Sequence, residues 1–462
     1  MSLPRSDALV FFGATGDLAY KKIFPALQAM IKRGHLDIPV IGVAKAGWDL
    51  ERLKQHARES LQENGGLDSD AFTRLTSLLR YVDGDYRDPA TFSALRKTVD
   101  GVHRFLHYLA IPPSMFAAVA EGLAGADCVK DARVVVEKPF GRDLASARAL
   151  SATLHRYFAE QDIFRIDHYL GKETVQNLLY FRFANPLLIA GWSKNHLESV
   201  QVTMAEDFGV AGRGKFYEEV GAIRDVVQNH MLQVVASLAM ECPVGSDHES
   251  LRDERGKLLQ SIKTLAPNDI LRGQFRGYRG EPGVDPNSKV ETFAALRFAI
   301  DNDRWTGVPF HVRVGKNLPV TVTEVMVKFK RPHRPVLDES GHMLANYYRF
   351  RLTPELVIAV GAKVKRPGEQ MVGQRAELVA HYAQPDEMEP YERLLGDAIR
   401  GDATLFARGD AVESAWRILD QILGTGSPLY EYDPGSWGPT EADGPLAPEG
   451  GWNDPVASQA SG

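Results

Sequence analysis

Along the first third of the chain, short unbroken apolar runs alternate with longer stretches in which apolar residues return every three or four positions. The runs fall at 8–12 (Ala-Leu-Val-Phe-Phe), 39–44 (Pro-Val-Ile-Gly-Val-Ala), 79–83, 104–110 and 133–136. A continuous apolar run of that length marks a strand buried on both faces of a parallel sheet. Between them, the stretch to Lys32 carries Leu18, Ile23, Leu27 and Met30 at helical spacing, and 49–63, 89–99 and 114–124 also predict helices. The alternation predicts a doubly wound parallel sheet of the Rossmann type, hence an α/β domain over 1–170.

The pattern changes after 170. Residues 172–190 predict a helix, Leu197 to Ala205 alternates as a strand, and a long apolar helix is predicted over 220–240. Strands are predicted at 292–300, 310–315, 321–329, 347–352 and 356–360, with helices near 390–400 and 411–423. Consecutive strands without intervening helices imply a mainly antiparallel sheet, so 171–462 is expected to form a larger α+β domain. The tail from Asp433 is dense in Gly and Pro and is expected to be an irregular arm docked through Trp437 and Trp452.

Composition narrows the functional classes. The 462 residues are 44% hydrophobic and 25% charged, with a net charge of −6. That balance offers no basic footprint for nucleic acid, so an anionic ligand must be met by local clusters. Two cysteines, Cys128 and Cys242, argue against a disulfide framework and a four-cysteine zinc site, and no metal site is expected. A cytoplasmic location is expected, with no membrane partner, because the chain shows no basic-then-apolar leader and no apolar run of roughly 18 residues.

Three stretches carry candidate cofactor-binding chemistry. The first strand ends in Gly13-Ala14-Thr15-Gly16-Asp17-Leu18-Ala19, and strand, glycine turn and helix together place a pyrophosphate on a helix N-terminus. The second strand ends in Lys45, where a basic residue favours the 2′-phosphate of NADP over NAD; a lysine discriminates less sharply than an arginine, so NAD use stays open. Lys138 follows another strand and precedes Pro139, which puts it in the cofactor crevice of an open α/β sheet.

The densest cluster is Arg165-Ile166-Asp167-His168-Tyr169-Leu170-Gly171-Lys172-Glu173. It combines an acid, an imidazole, a phenol and an ammonium, as an anionic, hydroxylated ligand requires. With a helix after Gly171, Lys172 lies in its first turn, where free N–H groups already favour a phosphate, and His168 can face the same anion. Asp167 alternates away from His168 and faces another partner. On the apolar helix, Asp225 and His230 are five apart, about 140° round an α-helix, and are expected to line two sides of one cavity. Taken alone, a histidine on an apolar helix such as His230 is more often a satisfied core residue than a catalytic one.

With these segments in place, the chain resembles the glucose-6-phosphate dehydrogenases. The resemblance rests on the glycine loop, Glu137-Lys138-Pro139-Phe140-Gly141, the block from Arg165 to Glu173, Arg224 to His230, Arg313-Val314-Gly315-Lys316 and Gly435-Ser436-Trp437-Gly438-Pro439. It implies oxidation of β-D-glucose 6-phosphate at C1 to 6-phospho-D-glucono-1,5-lactone with hydride transfer to NADP, the first step of the oxidative pentose phosphate pathway. It implies a catalytic base in His230, an orienting carboxylate in Asp167 and a phosphate pocket of His168, Tyr169 and Lys172. Glu206 and Asp225 match acceptors for sugar hydroxyls; Lys22, Lys138 and Lys316 match lysines near the sugar and nicotinamide. Gly13 to Leu18, with Lys45 and Lys138, match the cofactor site. A homodimer or homotetramer is also implied.

Four positions depart from the family pattern. Tyr20 stands where lysine is frequent, Phe116 where tyrosine is, Lys45 where arginine is, and Thr321 where a basic residue follows the Gly-Lys pair. Two other readings remain: a related sugar dehydrogenase, against which His168 with Lys172 speaks for a phosphorylated substrate, and a silent NADP(H)-binding paralogue, which would need neither a base nor its orienter.

Overall fold

A computed structural model describes residues 4–99, 101–332, 345–368, 372–382, 387–424 and 427–457. The chain forms two compact units, each assembled from three segments. The first comprises Met1–Glu173, Pro243–Gly256 and Glu387–Glu413.

Its sheet contains β1 (Ala8–Phe12), β2 (Val40–Ala44), β3 (Leu79–Asp83), β4 (Phe105–Leu109), β5 (Arg133–Val136) and β6 (Ile163–Ile166). All six are parallel, in the order β6-β5-β4-β1-β2-β3, and the two-residue strand Phe406–Ala407 adds antiparallel to the β6 edge. This is the doubly wound order with its switch point between β1 and β4. Every residue of β1 is fully buried, which is why its sequence is an unbroken apolar run. Side chains of Asp49, Asp68, Asp88 and Asp143 accept N–H groups at the starts of four helices. The core that joins Phe11, Phe24 and Leu27 also takes Leu394, Leu395, Ala398 and Ile399 from the helix Pro390–Arg400. Residues from late in the chain therefore complete the nucleotide-type sheet.

The second unit comprises Thr174–Cys242, Lys257–Asp386 and Ser414–Gly462. Its sheet contains β7 (Leu197–Ala205), β8 (Ile270–Phe275), β9 (Phe293–Ala299), β10 (Pro309–Gly315), β11 (Val322–Phe329), β12 (Tyr347–Thr353), β13 (Leu356–Lys365) and β14 (Gly373–Tyr382), plus Leu429–Tyr432. The order is β14-β13-β12-β11-β7-β10-β9-β8, with Leu429–Tyr432 beyond β8. Among the described residues only β7 with β10 and β8 with Leu429–Tyr432 pair in parallel, so the sheet is mainly antiparallel as expected. No helix is long and apolar enough to cross a membrane among the described residues.

Several local expectations change. β8, β14 and Leu429–Tyr432 were not legible: β14 is exposed on both faces, so its sequence lacks the one-sided alternation of a half-buried strand. The helix expected over 172–190 divides into Glu173–Ala184 and Pro186–Ile189, since Pro186 cannot donate the next helical hydrogen bond. The long apolar helix begins as a π-helix, Ile223–Met231, before continuing as the α-helix Leu232–Ala239. The helix after the glycine loop likewise opens with a π-helical segment, Ala19–Ile23. In the tail, Trp437 and Trp452 pack onto a core that includes Phe275 and Phe293. They flank the buried guanidinium of Arg313, 4.4 and 4.9 Å from its carbon, and Asp454 closes the arrangement at 2.6 Å.

Candidate active site

In the first unit, the glycine loop is held by its strands. Gly13 donates to Val43 O at 3.0 Å and to the Tyr86 hydroxyl at 2.9 Å, and Gly16 donates to Gly13 O at 2.9 Å. Gly13 has φ +83°, and a Cβ there would lie 2.3 Å from Ala110 O, so only glycine lets β1 and the end of β4 approach this closely. Ala14 is buried beneath the turn, Thr15 and Leu18 are half-buried, and Gly16 and Asp17 are exposed. Asp17 pairs with Lys21 at 2.7 Å, and Lys22 is exposed on the π-helical segment. An exposed glycine with accessible backbone beside a helix start suits a nucleotide pyrophosphate.

Lys45 lies at the C-terminal end of β2, as expected, but it is engaged: its Nζ is 2.9 Å from Asp85 Oδ2. The Asp85 hydrogen bond raises the Lys45 pKa. Asp83, at the end of the neighbouring β3, accepts the N–H groups of Ala46 and Gly47, both at 2.9 Å.

The block after β6 forms a turn in which Asp167 is buried and its Oδ1 accepts the Tyr169 N–H at 3.0 Å. Asp167 therefore begins a turn and does not continue the strand alternation. Tyr169 is the common neighbour of the expected phosphate ligands: the His168 ring lies 5.2 Å from its ring, and Lys172 Nζ is 4.0 Å from its centroid. Lys172 immediately precedes the helix that opens at Glu173, one position before the first turn.

Tyr391 and Arg255 in this unit were not anticipated. Lys138 follows Glu137 and joins Pro139 through a cis peptide. The Glu137 carboxyl accepts hydrogen bonds from Tyr108 and Tyr391, and burial pushes its pKa up. Arg255 is buried, donates to Thr404 O at 3.3 Å, and carries a pKa lowered to about 10 by burial, a shift that the Asp167 charge opposes. Tyr391 and Arg255 come from segments 254 and 88 residues beyond Glu137 and Asp167 in the chain, so no local signal could have found them.

In the second unit, Lys316 follows β10 and its Nζ is 2.6 Å from Glu206 Oε2, just after β7. The parallel pairing of β7 with β10 places Ala205 beside Gly315, which explains how two residues 110 apart meet. Lys316 also lies over the rings of Phe208 and Tyr217, at 4.8 and 5.4 Å. Tyr217 was missed as well. It is 2% exposed, and its hydroxyl has no hydrogen-bond partner among the described residues. Burial, followed by the charges of Asp225, Glu291 and Glu206, raises its pKa far above the ordinary tyrosine value.

Asp225 and His230 sit on the π-helix, and this overturns the α-helical placement. A π-helix closes i→i+5 hydrogen bonds, so residues five apart stack on one face instead of lining two sides. His230 is 4% exposed and Asp225 half-buried. Glu206, Lys316, Asp225 and Tyr217 thus form one polar group, with His230 on the same face of the helix as Asp225.

The departures from the family pattern have structural uses here. Phe116 is fully buried, Tyr20 packs on His56 with ring centroids 4.8 Å apart, and Thr321 Oγ1 binds Asp207, whose N–H returns a bond at 3.0 Å.

The glucose-6-phosphate dehydrogenase NAD binding domain model matches residues 10–177 and the C-terminal domain model matches residues 179–453. Glucose-6-phosphate 1-dehydrogenase 1 of Mycobacterium tuberculosis (strain ATCC 25618 / H37Rv) is 42% identical over 453 residues, 97% of each chain. Glucose-6-phosphate 1-dehydrogenase of Aggregatibacter actinomycetemcomitans is 40% identical, over 96% of each chain. The crystal structure of glucose-6-phosphate 1-dehydrogenase from Mycobacterium avium matches with a TM-score of 0.93 at 42% identity, covering 98% of this chain and 100% of that one. A glucose-6-phosphate dehydrogenase in complex with its substrate glucose-6-phosphate matches with a TM-score of 0.90 at 35% identity, covering 99% and 100%. With a doubly wound sheet, a mainly antiparallel second sheet, and both domain models and these relatives matched along nearly all of it, the chain belongs to the glucose-6-phosphate dehydrogenase family.

Proposed function

We propose the following division of labour for the family's reaction, in which β-D-glucose 6-phosphate is oxidised at C1 to 6-phospho-D-glucono-1,5-lactone and NADP is reduced. His230 removes the O1 proton; an imidazole suits the task because its ordinary pKa lies near working pH. Asp167 has the role of holding the imidazole in the correct tautomer and stabilising the imidazolium. His168, Tyr169 and Lys172 bind the 6-phosphate, while Glu206, Asp225 and Lys316 hold sugar hydroxyls. Gly13, Ala14, Thr15, Gly16, Asp17 and Leu18, with Lys45 and Lys138, hold the dinucleotide; Lys138 also meets the substrate, and Lys22 joins the catalytic residues that align sugar and nicotinamide. NADP, when bound, supplies the hydride acceptor. The cofactor role is assigned to residues 1–170 with the later segments 243–256 and 387–413 that join the same unit, and the substrate and assembly role to the rest of 171–462.

The observation that carries this reading is the second unit's polar group: a cation, two carboxylates and a buried phenol gathered from β7, β10 and two helices, with His230 facing the same way as Asp225. A structural ion pair would not need a histidine on that face. Assembly into a homodimer or homotetramer is supported by β14, an edge strand that leaves Leu378, Val379 and Tyr382 exposed. A reducing cytoplasm is supported by Cys128 and Cys242, both free thiols.

The test is the initial rate of NADPH and of NADH formation with glucose 6-phosphate, with glucose as control, for wild type and His230→Asn. Loss of a general base is expected to lower kcat by roughly 10²- to 10⁴-fold. Failure of the wild type to reduce either nucleotide would sink the reading.

A further inference from the structure

We propose that Glu291, together with Thr292, is the positioning residue that anchors both the π-helix of Asp225 and His230 and the backbone of Lys316. The inference rests on the reading of His230 as base. A helix start leaves N–H groups without intrahelical partners, and these are ordinarily met by the side chain of the residue that opens the helix. Here that residue is Ala222, which has no side chain able to do so. A carboxylate from 69 positions later takes over. Glu291 Oε1 accepts the Ile223 N–H at 3.2 Å, and the Glu291 carbonyl accepts the Ala222 N–H at 3.0 Å. The negative group at a helix N-terminus is also favoured by the dipole.

The next residue reaches the other side. The Thr292 carbonyl accepts the Lys316 N–H at 3.0 Å, and its Oγ1 accepts the Phe275 N–H at 2.9 Å. The Tyr432 hydroxyl donates to Lys316 O at 2.6 Å, so the Lys316 backbone is held from both directions. Two consecutive residues therefore set the separation between the base-bearing helix and the lysine paired with Glu206.

The chain before the helix is shaped around this carboxylate. Gly221 has φ +63° and ψ −179°, a break between two helical segments, and a Cβ there would lie 2.4 Å from Glu291 Oε1. Only glycine fits. Arg272 lies 3.7 Å from Glu291 Oε2 and offsets part of the burial of the charge. Glu291 itself is 5% exposed, so it acts through the helix and does not meet substrate.

The test compares Glu291→Ala, Glu291→Gln and Gly221→Ala in the full chain. A base displaced by an ångström costs about 100-fold, so Glu291→Ala is expected to lose kcat on that order per folded molecule while KM for NADP holds. Glu291→Gln keeps an oxygen acceptor in place and is expected to recover to within about threefold of wild type. Amide exchange over 222–231, which needs no activity, is expected to quicken in Glu291→Ala. Should that variant fail to fold, Gly221→Ala displaces the same carboxylate from the other side and carries the same expectations. Wild-type kcat together with unchanged exchange over 222–231 overturns the proposal. If the wild type itself reduces no nucleotide, the functional reading fails, and the exchange result still decides the anchor.

Discussion

Lys316 and Glu206 form a 2.6 Å ion pair across the ends of two parallel strands, with the ammonium resting over the Phe208 and Tyr217 rings. Each charge holds the other in place, which would pre-orient the pair for the sugar hydroxyls proposed for it above. This lowers the ordering required on binding.

Lys316→Met is expected to lower kcat/KM for glucose 6-phosphate by roughly 10- to 100-fold, the range of a lost charge-assisted hydrogen bond of about 1.5–3 kcal/mol. KM for NADP is expected to stay unchanged. Steady-state kinetics with each substrate varied separately check this; equal losses on both substrates would point to a general disturbance of the unit.

The 2.9 Å contact between Lys45 and Asp85 sets a competition for the cofactor. If Lys45 reads the 2′-phosphate, Asp85 must release it. Asp85→Asn is then expected to lower KM for NADP, and Lys45→Ala to raise it by up to roughly fivefold, the modest effect of a solvent-screened, exposed ion pair. KM for NAD is expected to move in neither variant. A parallel change for both nucleotides would show that Lys45 does not discriminate between them.

His107 is fully buried in β4, its Nε2–H donates to Cys128 O at 2.7 Å, and burial holds its pKa down at about 4. Above the unfolded-state value of about 6.5 the ring is neutral in both states. Below it the unfolded chain takes a proton that the folded chain refuses, so stability falls as pH drops from 6.5 toward 4, by about 3 kcal/mol over the window. Urea midpoints measured across pH 4–8 check this. His107→Leu is expected to flatten that part of the curve, and an undiminished slope in the variant would assign the effect to other groups.

Much of the architecture was legible because its signals are local. β1, β2, β4 and β5 appear as apolar runs since strands buried on both faces are predominantly apolar, with His107 in β4 and Arg133 in β5 as the buried polar exceptions. The glycine loop was legible because a close approach such as that of Gly13 to Ala110 admits no side chain. β14 escaped for the converse reason: both of its faces are exposed, so its pattern satisfies neither template.

By itself, the sequence determined the parallel sheet, the sheet-rich second part, and the residue types available for an anionic, hydroxylated ligand, because periodicity and turn chemistry act between near neighbours. Tertiary structure alone decided how those residues are held. The i→i+5 winding of Ile223–Met231 turned Asp225 and His230 to one face, since a π-helix and an α-helix share nearly the same apolar pattern but differ in which residues stack. Tyr391 with Glu137, Arg255 near Asp167, and Glu291 at the start of that helix are contacts across long chain separations. Burial makes each of them consequential, because a charge or hydroxyl removed from water must find a partner wherever the fold brings one.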